Sequence, residues 1–454
     1  MKALSDKPLV LFFSRDYQSQ FFPTLVSDVY DSIYVTLNKR EKHLVEERGG
    51  VVVACMEDEY DLLPEADVTF PYLEYSIGSD RFLRGYTHKE RLKIIKKCVS
   101  FWENIFDKYQ PDCIVHEVVA IEISEIMLLE ARKRNIKYLA FGAFSVGRSF
   151  YFYETPFHSS MPEKISRMVP SAQNITDAKN YIDKLKHGDV DNPYIKNLKG
   201  NKDVKRLLRL CYGLLAQIYY RLTIKGKVIR QLCYENSTIY FRSEIISYFR
   251  YIFKRNGYDK IEEIDNELTQ FFYPMHFEPE ATLFYQSTYY ENQYSVIENL
   301  LKCLAENQLL LVKEHPAQPG FLMQQKFKNL KKRFPNVMYI KADISSKEMI
   351  SRAKAVITLV STAGFEALAI GKPVILLGKI YYDSFEGVNY CKTFEEVYDL
   401  VRGYKPFNKN VNFQDFLARL IAMQHTGSPW INPDLYSAEN IAGIRKAIEG
   451  QVIR

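Results

Sequence analysis

Two short stretches carry the residue types needed to hold an anion. The first runs Val360-Ser361-Thr362-Ala363-Gly364-Phe365-Glu366 and continues to Gly371-Lys372-Pro373-Val374. A strand ends there in a small, hydroxyl-bearing turn, and a short helix follows. Ser361 or Thr362 can cap that helix while its free backbone N–H groups point outward, an arrangement suited to phosphate. Gly364 would let a ligand approach the backbone, and Glu366, read as lying on the first turn, could accept from ribose hydroxyls. The second stretch, Val312-Lys313-Glu314-His315-Pro316, places a cation and an imidazole at the end of a buried strand. Lys313 would offset phosphate charge and His315 would donate to a phosphate oxygen. Each stretch alone is also the pattern of an ordinary loop. Both fall at strand ends of one expected sheet, which points to a shared anion site.

A third stretch, Phe272-Tyr273-Pro274-Met275-His276-Phe277-Glu278-Pro279-Glu280, makes His276, Glu278 and Glu280 candidates for ligand contact or acid–base work. In the N-terminal part, Ser14-Arg15-Asp16 follows the first strand and His116-Glu117 ends a later one. Asp16 and Glu117 are therefore candidate general bases for an acceptor hydroxyl, and Arg81, Arg84 and His88 candidate contacts to an acidic acceptor. Capping and solvated ion pairing are the competing roles for each carboxylate.

The elements that must position these residues follow from periodicity. Over residues 1–150, β-branched and apolar runs at 8–13, 32–36, 50–55, 112–116 and 137–141 alternate with helical patterns, notably 89–109 and 122–134. Such alternation predicts a parallel sheet covered on both faces. The rhythm stops over about 155–265, which reads as helical, basic and Tyr-rich. It returns from 270, with strands expected at 271–275, 309–313, 337–340, 355–360 and 373–377, and a last helix over 437–450. The expected fold is α/β, with two sheets facing a cleft and a helical basic insertion. The boundaries are 1–155 (N-terminal sheet domain), 156–268 (helical basic insertion), 269–430 (C-terminal sheet domain) and 431–454 (C-terminal helix).

Composition narrows the chemistry. The chain has 454 residues, 47% hydrophobic and 26% charged, within the range of folded globular proteins. The best candidate apolar stretch, Leu210–Tyr220, has eleven residues and includes Gln217, where a membrane span needs about 20. The N-terminus lacks the pattern of a signal peptide. Seven cysteines without a C-x-x-C pair predict reduced thiols in the cytoplasm and no zinc site. No P-loop, G-x-S-x-G elbow, H-E-x-x-H helix or G-x-G-x-x-G turn after the first strand is present. No D-x-D pair sits at a strand end, so no metal is expected. Between Lys196 and Tyr258, fourteen Lys and Arg face three acids, although the whole chain is only +6. The basic character is thus local. Its mixture of cationic, apolar and Tyr residues suits an anionic membrane surface. No nucleic-acid module frames it, so nucleic acid is not an expected partner.

The run Tyr273–Glu280, with Tyr290-Glu-Asn-Gln293, Lys313-Glu-His-Pro316, Ser361–Ala367 and Gly371–Val374, resembles bacterial capsule polysaccharide biosynthesis proteins. The resemblance is good over about 270–385 and general over 1–150. It implies a GT-B-like fold of two Rossmann-like domains and a glycosyltransferase of surface polysaccharide. His315 and the Ser361-Thr362 turn would then hold the donor phosphate, with Glu366 near the ribose or base. Glu278 stands where relatives are expected to carry Gln. The implied partners are a nucleotide-sugar, as substrate with no resident cofactor, and a glycan or lipid-linked acceptor. The implied location is the cytoplasm, peripheral at the inner face of the cell membrane. Glycerophosphate transfer from a CDP-linked donor, nucleotide-sugar epimerisation and a non-catalytic assembly or export role are the alternatives.

Overall fold

The computed structural model describes residues 6–68, 83, 85–119, 122–144, 146–155, 161–187, 203–224, 226–234, 238–254, 257–278 and 280–453. The strands are β1 (Leu9–Ser14), β2 (Asp31–Thr36), β3 (Val52–Cys55), β4 (Cys113–His116), β5 (Lys137–Ala143), β6 (Ser149–Tyr153), β7 (Thr269–Pro274), β8 (Gln308–Lys313), β9 (Val337–Ile340), β10 (Ala355–Thr358), β11 (Val374–Leu376), β12 (Val388–Tyr390) and β13 (His425–Thr426). The expected strands are present, and the fold is α/β with two Rossmann-like sheets. Sequence periodicity missed β6, β12 and β13. The last two have three and two residues, too few to show alternation.

The chain divides into two compact units. The first comprises residues 1–156, 214–239 and 424–454. Its sheet has the order β13-β6-β5-β4-β1-β2-β3. β1 to β5 are mutually parallel, whereas β6 and β13 are antiparallel additions. The high aromatic content packs this core. Phe12 stacks on Tyr34 at 5.4 Å, and Phe141 meets Phe150 edge-on at 5.4 Å. Such pairs add to area burial by about 0.5–1.5 kcal/mol each.

The second unit comprises residues 157–213 and 240–423. Its sheet, β12-β11-β10-β7-β8-β9, is parallel throughout. All six residues of β8 are buried. This is why Gln308–Lys313 reads as an unbroken apolar run with polar ends: helices cover both faces of such a sheet.

In each sheet the first strand of the unit lies between its successors. β1 has β2 on one side and β4 on the other, and β7 has β8 and β10. The chain direction of winding reverses there, and ligands of open α/β sheets bind beyond the carboxyl ends of strands at such points. Both groups of candidate residues fall at these positions.

The segment read as an insertion is shared between the units. In the second unit, Tyr181 of the helix Ala172–His187 packs on Phe365 at 6.2 Å, and Arg419 donates to the carbonyl of Met168 at 2.9 Å. In the first unit, Asn38 donates to the carbonyl of Cys233 at 2.8 Å, and the Tyr234 hydroxyl to Glu57 at 2.5 Å. The C-terminal part rejoins the first unit from Gln424, one strand earlier than the boundary at 431. Ser437 caps the final helix Ala438–Val452 through the Asn440 N–H. Gly450 lies inside the last turn of that helix and does not end it.

Candidate functional site

In the second unit, three loops meet at the carboxyl ends of β7, β8 and β10. Met275-His276-Phe277 follows β7. The imidazole Nε2 of His276 accepts the backbone N–H of Val360, just beyond β10, at 3.3 Å. This bond leaves the ring proton on Nδ1. Gln293 clamps the same loop: its Oε1 accepts the His276 N–H at 2.7 Å, and its Nε2 donates to the His276 carbonyl at 3.0 Å. Gln293 is fully buried at the start of the helix Gln293–Cys303. Its place in the Tyr290–Gln293 motif was the visible signal, but nothing in the sequence said that it holds His276. Glu278 accepts from the N–H of Gln293 at 3.2 Å. Its charge therefore sits at a helix N-terminus, where carboxylates are favourable. Gln318 also ties this loop, through the N–H of Glu278 at 3.0 Å and its carbonyl at 2.6 Å.

Beyond β8, three successive residues take different roles. Lys313 is buried, and its Nζ donates to the carbonyls of Glu314 and Ala342 at 3.3 and 3.1 Å. The fixed cation opposes the burial effect on Glu366 and depresses protonation of His315. Glu314 is an organiser of the loop. It accepts from the Tyr258 hydroxyl at 2.7 Å and from the N–H groups of Gly320 and Leu322 at 3.0 and 2.7 Å. His315 accepts the Ala317 N–H on Nδ1 at 3.2 Å, which places its proton on Nε2 as a donor. Burial, with Lys313 adding to it, pushes His315 down to about 4, and burial pushes His276 down to about 3. Both are neutral imidazoles near pH 7. Any anion they hold is met by ring N–H dipoles, with the positive charge supplied by Lys313.

Beyond β10, Ser361 is the N-cap of the helix Thr362–Ala369, accepting the Ala363 N–H on its hydroxyl at 3.1 Å. Thr362 is the first helical residue. Gly371, at φ +83°, follows the helix as expected. Gly364 has a different role from the one expected. A β-carbon there would lie 2.4 Å from the hydroxyl of Tyr382, which itself donates to the Ser361 carbonyl at 2.6 Å. The space left by Gly364 is filled by Tyr382. Glu366 is the fifth residue of the helix, one turn further in than read from sequence. Burial raises its carboxyl to about 7. Glu280 directly precedes the short helix Ala281–Gln286 and makes no side-chain capping bond.

In the first unit, β1 and β4 are adjacent, so Asp16 and Glu117 follow neighbouring strand ends. Asp16 is exposed and has φ +46°, the left-handed region that Asp tolerates better than most residues. Its N–H is held by Glu41 Oε1 at 2.9 Å, while Glu41 Oε2 accepts from Leu37 and Asn38. Glu41 belongs to the capping box Asn38-x-x-Glu41, which was legible as a spacing; its reach to Asp16 was not. Burial raises Glu41 to about 7. Glu117 accepts from the Tyr17 hydroxyl at 3.1 Å and from the Gln18 amide. Burial also raises its carboxyl, against those two donors and Arg15. The Tyr17 hydroxyl lies 3.1 Å from the carbonyl of Pro429 as well, so the C-terminal segment helps frame this corner. His116 is a core residue, 5.0 Å from the Phe13 ring and pushed down to about 3 by burial. His88 is exposed at the first position of the helix His88–Tyr109. Arg81 and Arg84 lie outside the described residues. Among the described residues, no group of three or more His, Cys, Asp or Glu side chains is disposed to hold a metal ion.

Residues 233–415 match the family described as capsule polysaccharide biosynthesis protein. The capsule polysaccharide export protein KpsS of Escherichia coli is 35% identical over 85 residues, 18% of this chain and 21% of that protein. Protein FixF of Sinorhizobium fredii is 34% identical over 92 residues, 20% of this chain and 21% of that protein. The matched stretch thus spans about a fifth of each of these two relatives. Among solved structures, the beta Kdo 2,7 transferase of Thermosulfurimonas dismutans KpsC aligns over 98% of this chain and 99% of its own, with 11% identity and a TM-score of 0.43. The stretch similar to that family, residues 233–415, holds the His276, His315 and Ser361 loops.

Proposed function

We propose that this protein is a glycosyltransferase that moves a sugar from a nucleotide-activated donor to a growing capsular polysaccharide or its lipid-linked acceptor. The observation that carries the proposal is the meeting of His276, His315 and the N-terminus of Thr362–Ala369 around the winding reversal of the second sheet. Helix N–H groups, the Nε2–H of His315 and the charge of Lys313 would stabilise the diphosphate or phosphate that departs when the glycosidic bond forms. Glu366, in the second turn of that helix, would meet the ribose. In the first unit, Glu117 would accept the acceptor hydroxyl's proton; a raised carboxyl is a better base near neutral pH. Asp16 is the second candidate for that proton, and His276 and Glu280 are assigned to the donor loop. The acceptor would keep the protein at the inner face of the cell membrane.

The test is thermal unfolding with CMP, CDP, UDP, GDP and ADP at millimolar concentration. One nucleotide is expected to stabilise the wild type and not His315→Ala. A ligand at 100 times its Kd contributes about 2.7 kcal/mol. CMP would indicate an acidic-sugar donor, CDP a polyol phosphate and UDP a common hexose. Glu117→Gln should keep the nucleotide response and lose product formation. The similarity to the Escherichia coli capsule polysaccharide export protein favours a second reading, a non-catalytic assembly or export role. No response to any nucleotide, with capsule production intact in His315→Ala, would select it.

A further inference from the structure

The helix Asp203–Thr223 carries two faces of unequal kind. Toward the protein it turns Gly213, Ala216, Gln217 and Tyr220, of which Gly213 and Gln217 are buried and the other two half-buried. Tyr220 meets the Tyr234 ring at 5.3 Å. On the opposite side stand Leu208, Tyr212, Leu215, Tyr219 and Leu222, between 62% and 82% exposed. Their spacing of four, three, four and three makes one stripe on a helix. The pattern is inverted from that of a helix packed on a globular core. Among its described side chains, the bulky stripe faces solvent, and apart from Tyr220 those facing in are small or polar.

We propose that this stripe lies in the interfacial layer of an anionic lipid bilayer, with the helix parallel to the surface. Three observations commit it to lipid. An apolar stripe on one face of a helix enters a bilayer by lying flat in its interface, and no helix among the described residues is long and apolar enough to cross a membrane. Tyr at alternate stripe positions suits an interface that is apolar at one level and wet at the next. The helix also sits in the segment 196–258, with fourteen Lys and Arg against three acids, and exposed Arg221 borders the stripe. That charge is complementary to anionic headgroups. It opposes a second copy of the chain as occupant, because a two-fold interface would bring two equally cationic segments together. The inference goes beyond the transfer reaction and does not depend on it.

The experiment is co-sedimentation of the full chain with vesicles of phosphatidylcholine alone and of phosphatidylcholine with about 30% phosphatidylglycerol. The wild type should pellet with the anionic vesicles only, and less as salt is raised. The double variant Leu215→Glu/Tyr219→Glu should lose about tenfold or more in bound fraction at an unchanged melting temperature, because both side chains are in solvent. A control pair at exposed apolar positions elsewhere, Leu62→Glu/Ile431→Glu, should bind as the wild type does. The proposal is overturned if the wild type stays in the supernatant with anionic vesicles. It is equally overturned if the stripe variant pellets like the wild type, or if the control pair loses as much. Sedimentation velocity covers the remaining occupant. A dimer abolished by the stripe variant, in a protein that ignores vesicles, would assign the stripe to a second copy.

Discussion

The ring of His276 accepts the backbone N–H of Val360 at 3.3 Å, joining the loop after the first strand of the second sheet to the turn that begins the helix Thr362–Ala369. The two residues are 84 positions apart. The bond keeps a buried backbone donor satisfied, and it ties the β7 loop to the residue just before the Ser361 cap. His276→Ala removes the only acceptor this donor has among the described contacts. The expected cost is about 1–3 kcal/mol in stability, with faster hydrogen exchange at the Val360 amide and a weaker thermal response to nucleotide. Unchanged exchange at Val360 would show that the imidazole does not hold the loop.

Gly364 and Tyr382 form a second coupled pair. A β-carbon at 364 would approach the Tyr382 hydroxyl to 2.4 Å and Thr358 Cγ2 to 3.0 Å. Tyr382 is fully buried, so it has little room to retreat. Gly364→Ala should destabilise by about 1–3 kcal/mol. Tyr382→Phe, which removes the clashing oxygen, should recover part of that loss, giving a coupling of at least about 0.5 kcal/mol in a double-mutant cycle. Strict additivity in denaturant melts would refute the contact.

Glu366 should make stability depend on pH in a defined direction. Its carboxyl is raised from 4.5 to about 7 by burial, so the folded protein binds a proton that the unfolded chain has released. That contribution is complete below the unfolded value and is lost as pH rises through the folded one. Glu366→Gln, which cannot ionise, should therefore gain on the wild type between pH 4.5 and 7 and keep a constant lead above that. The full difference is at most about 3 kcal/mol, from 1.36 kcal/mol per pKa unit. A wild type–variant difference that is flat in pH would mean that Glu366 ionises normally. The buried histidines act with the opposite sign. His276 and His315, pushed down to about 3 and about 4, hold stability above pH 6.5 and lose it as pH falls. Comparing wild type with Glu366→Gln isolates the carboxyl.

Local rules settled much of this protein within the sequence. Uninterrupted apolar runs such as Leu309–Val312 can be stable only between two helical layers, which set the parallel sheets. Strand ends followed by His276, His315 and Ser361 set which residues stand at the carboxyl edge, because a strand's end and its next loop are fixed by a few neighbouring residues. The three-dimensional structure decided what depends on residues far apart in the chain. It gave Glu314 to Tyr258 and Gly320, Glu41 to Asp16, and the space beside Gly364 to Tyr382. It divided the basic segment between two units, returned residues 424–454 to the first sheet and turned the bulky face of Asp203–Thr223 outward. Periodicity reports that a helix has an apolar side. Which side the rest of the chain covers depends on long-range packing, and no local spacing encodes it.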